Sequence, residues 1–292
     1  MDDPSASPAS AGGSSFAPTS GSSNDAHSPS AVAHSTIPDA PGVTPAQRAL
    51  AYFVHLFTAS GVVFAFLAAA EVCKANPDPR LVFLYLAIQC LIDALDGPMA
   101  RAFHVKTRAA RIDGRTIDDI VDYLTFTFVP LLLVWKMGWL PEPAGLFVAP
   151  AMVASLFGFS NTGAKDEQGG FFLGFPSYWN IVAVYAGVWF HLYGPWVGAV
   201  VIVALTILTV LPVRFIYPNL APRPWKMPVM VGALIWTLML GWMIWRYPNV
   251  SATMMWVSLV YPIFYGALSV WLDVRSRQSK ESPDSAALRP GA

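Results

Sequence analysis

The sequence predicts an all-α fold, a polytopic membrane bundle of about eight transmembrane helices, on three observations. Apolar residues make up 55% of the 292 positions and charged residues only 12%. Mean hydropathy is positive, which a soluble domain of this length does not sustain. Apolar stretches long enough to cross a bilayer recur along the chain, and the Lys and Arg residues crowd on one side of them.

Residues 1–43 are dominated by Ser, Ala, Pro, Gly and Asp, which bury too little apolar surface to offset their ordering entropy, so a disordered cytoplasmic tail is expected. The tail has no basic start followed by an apolar core, so neither a secretory signal nor a transit peptide is expected. Order begins at Thr44-Pro45-Ala46-Gln47, which reads as a capping box with Pro at the first helical position. Spans follow at about 48–73, 81–103, 115–138, 144–163, 172–193, 195–217, 225–246 and 250–272. The fifth and sixth meet at Gly194-Pro195. A membrane domain thus covers 44–275, and 276–292 is expected to be a flexible cytoplasmic tail. An even number of spans puts both termini on one side. That side holds 14 of the 18 Lys and Arg residues, so the termini and the 101–115 loop are predicted to be cytoplasmic.

Zero formal net charge argues against a general attraction to nucleic acid, leaving local clusters to carry any electrostatic function. Cys73 and Cys90 have no metal-ligand spacing and read as small buried packing residues. Trp135, Trp139, Trp242 and Trp245 read as an aromatic belt at the non-cytoplasmic interface.

The chemistry is concentrated in the second and third spans. A carboxylate inside a spanning helix costs about 2.5–3.5 kcal/mol, so Asp93, Asp96, Asp118, Asp119 and Asp122 require compensating charge. At 100° per residue, Asp93, Asp96, Gly97 and Ala100 fall within about 100° of arc on one helix. Gly114, Asp118 and Asp122 fall within about 80° on the next, while Asp119 points well away. The short basic connection makes these helices antiparallel neighbours, so four carboxylates can converge. Hard oxygen ligands at that density suit two Mg²⁺ or Mn²⁺ ions, which together stabilise an in-line displacement at phosphorus. Small residues at 97, 100 and 114 let a flat or phosphorylated group approach the backbone, and the Arg101 fork suits a phosphate. The plainer reading pairs these acids with loop arginines, which leaves the small residues on the same faces unexplained. A cation or proton transporter would also place acids in the membrane, but no repeat is apparent between the halves.

The pattern Asp93-x2-Asp96-Gly97-x2-Ala100-Arg101 followed by Gly114-x3-Asp118-x3-Asp122 resembles the signature of the CDP-alcohol phosphatidyltransferases. That family moves a phosphatidyl or related group from a CDP-linked donor to an alcohol and releases CMP. The resemblance implies Asp93, Asp96, Asp118 and Asp122 as metal ligands, with Asp122 also the catalytic base. It implies Asp93, Gly97, Ala100, Arg101 and Gly114 around the CDP, and a homodimer. Residues 102–113 form a spacer of twelve where eight is usual. With the stretches Val54-His55-Leu56-Phe57-Thr58-Ala59-Ser60-Gly61, Asp96-Gly97-Pro98 and Asp118-Asp119-Ile120-Val121-Asp122-Tyr123, this is similar to the bacterial phosphatidylcholine synthase branch. Phe171-Phe172-Leu173-Gly174-Phe175-Pro176, Trp179-Asn180, Leu211-Pro212 and Tyr217-Pro218 extend the likeness, which covers about 46–275. It implies an enzyme of the bacterial inner membrane that joins choline to CDP-diacylglycerol. Serine, inositol or glycerol phosphate are the alternative acceptors.

Recognition of a quaternary ammonium relies on aromatic faces, and Tyr178, Trp179 and Asn180 open the fifth helix on the cytoplasmic side where choline enters. The rival reading of each is an interfacial belt residue. His55 and Thr58 resemble a pair that family members place near the nucleotide, with His in place of the usual Asn. A simple interfacial histidine is the alternative. Lys165, Arg214 and Arg223 are candidates for donor phosphate or anionic headgroups, or are ordinary solvated cations.

Overall fold

The computed structural model describes residues 42–281 except 162, 164 and 167–169, and excludes the side chains of 165, 166, 219 and 279–281. Most of the expected N-terminal tail and the last eleven residues therefore lie outside the described residues.

The described residues form eight helical rods. The first, α1, spans Pro45–Val72 and bends at Ser60. It starts on the expected capping box: the Thr44 hydroxyl accepts the Gln47 N–H and the Gln47 carboxamide accepts the Thr44 N–H. Asp78 caps α2, Pro79–Ala102, by accepting the Arg80 N–H. The upper half of α1 packs against α2, where the Gln89 carboxamide fills the place a Cβ at Gly61 would take. The third rod, α3, covers 114–136 and is α-helical to Asp122, widens to a π-helical turn over Tyr123–Phe128, and resumes at Val129. Such widenings concentrate at functional sites, and this one begins directly after an acidic residue of the sequence motif. Gly145–Ser160 forms α4, Trp179–Tyr193 forms α5, Pro195–Val210 forms α6, Lys226–Arg246 forms α7 and Ala252–Glu281 forms α8.

The protein is a mostly helical membrane protein. Four helices, Pro45–Val72, Pro79–Ala102, Lys226–Arg246 and Ala252–Gln278, are long and apolar enough to cross a membrane, and α4 and α6 are shorter apolar helices. The core gathers around α5, which is buried on nearly every face between α3, α6 and α8, with its own Trp179 and the neighbouring Trp139 fully buried. Gly194 ends α5 and Pro195 starts α6, which folds back so that Gly198 approaches Ala186.

The structure corrects the expectation in several places. The fold is not purely helical: Lys165–Asp166 (β1), Phe171–Leu173 (β2) and Arg214–Ile216 (β3) form an antiparallel sheet in the order β1-β2-β3. Hydropathy alone merges β2 and β3 into spans at 172–193 and 195–217, because an apolar run does not distinguish a spanning helix from a buried strand. The last helix runs to Glu281, past the expected tail boundary at 276. Trp139 belongs to the core instead of a belt, packed on Phe83 and Tyr247, whereas Trp135, Trp242 and Trp245 are exposed. Cys73 is exposed at the end of α1, so only Cys90 packs inside.

Gly174 closes β2 at φ +80°, and a Cβ there would drive into the backbone carbonyl of Thr209 at the end of α6. An L-residue suffers both the left-handed penalty and the clash, and the Gly174 N–H to Val213 carbonyl bond of 2.8 Å would have to give way. Gly174→Ala is therefore expected to destabilise the protein by at least about 2 kcal/mol, read as a lower Tm of the detergent-solubilised enzyme. An unchanged Tm would show that the sheet is not fixed by this turn.

Candidate active site

The two acidic stripes meet as the helical arithmetic requires. Carboxylate oxygens of Asp93 on α2 and of Asp118 and Asp122 on α3 lie within 4.8 Å of one another. Asp96 stands one turn from Asp93, almost fully buried, with its carboxyl in contact with the Thr58 hydroxyl, the Gly97 N–H and Asp118. Carboxyl groups this close need positive charge or a proton among them, and an all-oxygen donor set on two rigid helices fits a hard divalent cation. Asp119 points away, 3.7 Å from the Arg115 guanidinium, as its helical angle predicts.

Two cavities flank the acids. The larger, of about 810 Å³, is lined by His55, Thr58, Asp96, Gly97, Ala100, Arg101, Gly114 and Arg115 and by the spacer residues His104, Lys106 and Asp113. It sets three cations, Arg101, Lys106 and Arg115, against Asp96, Asp113 and Asp118, and it holds every residue that the motif assigns to CDP except Asp93. The second, of about 650 Å³, is lined by Asp93, Asp118 and Asp122 together with Phe126, Phe159, Phe172, Phe175, Tyr178 and Tyr217. Arg101 and Asp118 belong to both walls, so the chambers meet at the acids.

The twelve-residue spacer is folded and compact. His104 turns the chain at φ +52°, and Val105–Arg108 forms one helical turn tucked beneath α1. Val105 and Ala109 are buried there against Ala51 and Val54. The insertion thus supplies a floor and part of the cationic wall of the larger cavity. The His55 ring reaches the Ala109 carbonyl at 3.4 Å and lies 2.8 Å from where a Cβ on Gly114 would stand. What approaches the Gly114 backbone is thus His55, which ties α1 to the insertion and to the start of α3. At that start Asp113 caps the helix, and bonds from the Thr116 hydroxyl and the Arg115 N–H hold its carboxyl below the usual carboxylate range.

The remaining candidates divide. Tyr178 lines the aromatic cavity. Trp179 and Asn180 line neither cavity: the Trp179 indole is fully buried and donates to Ser155, and the Asn180 amide donates to the Cys90 sulfur. Residues at i+1 and i+2 on a helix point away from position i, so the three cannot share one pocket. Arg214 is engaged by Asp273 at 2.5 Å and by Ser276 at 2.8 Å on α8, and stacks over Phe171. Its guanidinium braces the sheet and lines neither cavity. Arg223 is exposed outside both, and the side chain of Lys165 lies outside the described residues. Sequence reasoning missed Tyr217, Phe126, Phe172 and Ser155. Tyr217-Pro218 stood among the similar stretches, but no spacing rule connects a residue after β3 with acids on α2.

Comparison with known proteins gives the family. The profile of the CDP-alcohol phosphatidyltransferases matches residues 49–164, which carry both acidic helices and the spacer. The chain is 33% identical over 235 residues to the phosphatidylcholine synthase of Pseudomonas aeruginosa, covering 80% of this chain and 96% of that protein. It is 34% identical over 194 residues to the phosphatidylcholine synthase of Rhizobium meliloti, covering 65% of this chain and 76% of that one. It is 34% identical over 184 residues to that of Legionella pneumophila, covering 62% and 70% respectively. With the eight motif residues gathered around two cavities that meet at the acids, the chain belongs to the CDP-alcohol phosphatidyltransferase family and is a membrane enzyme of phosphatidyl transfer.

Proposed function

We propose that the enzyme transfers phosphatidyl from CDP-diacylglycerol to choline, giving phosphatidylcholine and CMP. The observation that carries this reading is the pairing of a chamber that holds Arg101, Lys106 and Arg115 with an aromatic one across the shared Asp118 and Arg101. A nucleotide and its phosphates match the first, and an alcohol bearing a permanent cation without N–H donors matches the second. The named activity of the relatives supports the same acceptor.

In this reading Asp93, Asp96, Asp118 and Asp122 hold two divalent ions, Mg²⁺ or Mn²⁺, which when bound neutralise charge on the donor diphosphate. Gly97, Ala100, Thr58 and His55 line the cytidine chamber, and Arg101, at the junction, faces the phosphates. Asp122 takes the proton of the choline hydroxyl. The choline oxygen then bonds to the phosphorus of the phosphatidyl group, the phosphoanhydride bond to CMP breaks, and CMP leaves with the electron pair. The eight rods are taken as eight transmembrane helices in a bacterial inner membrane with both termini cytoplasmic, and the enzyme as a homodimer. The cation asymmetry of the sequence supports that orientation.

The test supplies purified enzyme in detergent with CDP-diacylglycerol, a divalent metal and, separately, choline, serine, inositol or glycerol phosphate, and follows CMP. Release with choline and its loss on chelation are expected. Release with serine, inositol or glycerol phosphate but not choline would overturn the acceptor, and release undiminished by chelation would overturn the metal.

A further inference from the structure

Resting on the choline reading above, we propose that the aromatic cavity is the acceptor subsite, caged by Tyr178, Tyr217, Phe126 and Phe172, with Ser155 the positioning residue that aims Tyr178. Tyr178 enters the cavity from a constrained piece of chain. Ser177 before it holds φ +56°, a conformation that non-glycine residues rarely adopt, and it is buried. The Ser177 hydroxyl donates to Ser155 Oγ at 3.0 Å, and the indole of Trp179 after it donates to the same oxygen at 2.7 Å. A single fully buried hydroxyl on α4 therefore pins the residues on both sides of Tyr178. One residue further on, Asn180 donates to Cys90 Sγ at 3.1 Å, and Cys90 lies on α2 one turn before Asp93. Tyr178 is thus tied to two of the helices that bound the cavity, α4 and α2, and α2 carries an acid of the site.

The opposite walls come from elsewhere. Phe126, on the π-helical turn after Asp122, lies 5.9 Å from the Tyr178 ring. Phe172 on β2 and Tyr217 just beyond β3 have ring centroids 5.3 Å apart. Four rings from four stretches of chain line a chamber whose polar wall sets three carboxylates, Asp93, Asp118 and Asp122, against one cation, Arg101, with Ser177 and Thr209 beside them. A trimethylammonium donates no hydrogen bond and is held by aromatic faces and by nearby negative charge, both of which this chamber offers. Two carbons separate the nitrogen of choline from its hydroxyl, so a nitrogen among the rings leaves the hydroxyl at the carboxylates.

Steady-state kinetics of the intact enzyme test this, with KM measured separately for choline and for CDP-diacylglycerol. Tyr178→Leu and Tyr217→Leu are each expected to raise choline KM about tenfold or more and to leave donor KM within about twofold, whereas Tyr178→Phe, which keeps the ring, stays near wild type. Ser155→Ala is expected to raise choline KM severalfold with kcat nearly kept. It should also narrow the preference for choline over its neutral isostere 3,3-dimethylbutan-1-ol, measured as a competing alcohol, a change that a loss of stability alone does not produce. An unchanged choline KM in both Leu variants overturns the proposal. So does a donor KM that rises in step with that of choline, which would mean the chamber takes the acyl part of the donor. If the wild-type enzyme releases CMP only with some other alcohol, the choline reading itself fails, which is a different result from either.

Discussion

Asp122→Asn is expected to lower turnover by about 10²–10⁴-fold while leaving the donor bound. The substitution keeps the shape of the side chain and an oxygen for coordination but removes the basic lone pair that takes the acceptor proton. Asp122 lines the aromatic chamber and lies within 4.8 Å of Asp93 and Asp118, at the place where an acceptor hydroxyl would arrive. A neutral carboxamide also weakens the hold on a cation, so the measurement is made at saturating metal. Single-turnover CMP release should stay slow under that condition, while protection of the enzyme by CMP or CDP-diacylglycerol persists. Recovery of the wild-type rate by added metal alone would remove the base from Asp122 and leave it only as a ligand. A membrane carrier built on the same acids would show no CMP release to lose.

That site was legible because ionised groups are costly in an apolar helix, so their spacing carries information that other positions lack. Asp93, Asp118 and Asp122 fall on facing stripes in the structure as they do on a helical projection, and Asp119 turns away to Arg115 in the same manner. The four helices long and apolar enough to cross a membrane follow from the same logic of apolar run length. The sheet does not. Phe171–Leu173 and Arg214–Ile216 are as apolar as the helices beside them, and their pairing joins segments about forty residues apart, which no local period records. The aromatic cavity was half legible for a related reason. Tyr178 could be placed at a helix start, but Tyr217 and Phe172 reach the acids only through the sheet, and the same apolar abundance that builds the core hides which rings face a cavity. The role of Arg214 was unreadable because its partner Asp273 lies 59 residues away on α8. The twelve-residue spacer gave its length but not its fold, since one helical turn beneath α1 is too short to leave a periodic trace.

Asp273→Ala is expected to produce the largest loss of stability among these changes, and its cause lies in how the sheet is held. β3 is an edge strand, and its outer side meets α8: the Tyr265 hydroxyl donates to the Ile216 carbonyl at 2.5 Å, and the Ile216 N–H donates to the Ser269 hydroxyl at 3.4 Å. Asp273, 7% exposed, completes the clamp by accepting from Arg214 on β3 at 2.5 Å and from Arg277 at 2.8 Å. Removing the carboxylate leaves two guanidinium groups facing each other, and uncompensated charge at a buried pair costs about 3–5 kcal/mol. Arg277 is half exposed and escapes to water, so the lower end, about 3 kcal/mol or roughly 6–12 °C in Tm, is expected. Arg277→Ala keeps the Arg214–Asp273 bond and should cost no more than about 1 kcal/mol. The effect should also reach the site in a definite order. β3 carries Phe215, stacked 5.8 Å from Phe172, and leads into Tyr217, so loosening it disturbs the aromatic wall while the larger cavity, built from α1, α2, the spacer and the start of α3, stays intact. Choline KM should therefore rise in Asp273→Ala at temperatures well below its Tm, with donor KM little changed. Equal Tm losses in the Asp273 and Arg277 variants would mean that Arg214 finds another acceptor, and that β3 is held by the Tyr265 and Ser269 hydroxyls without the ion pair.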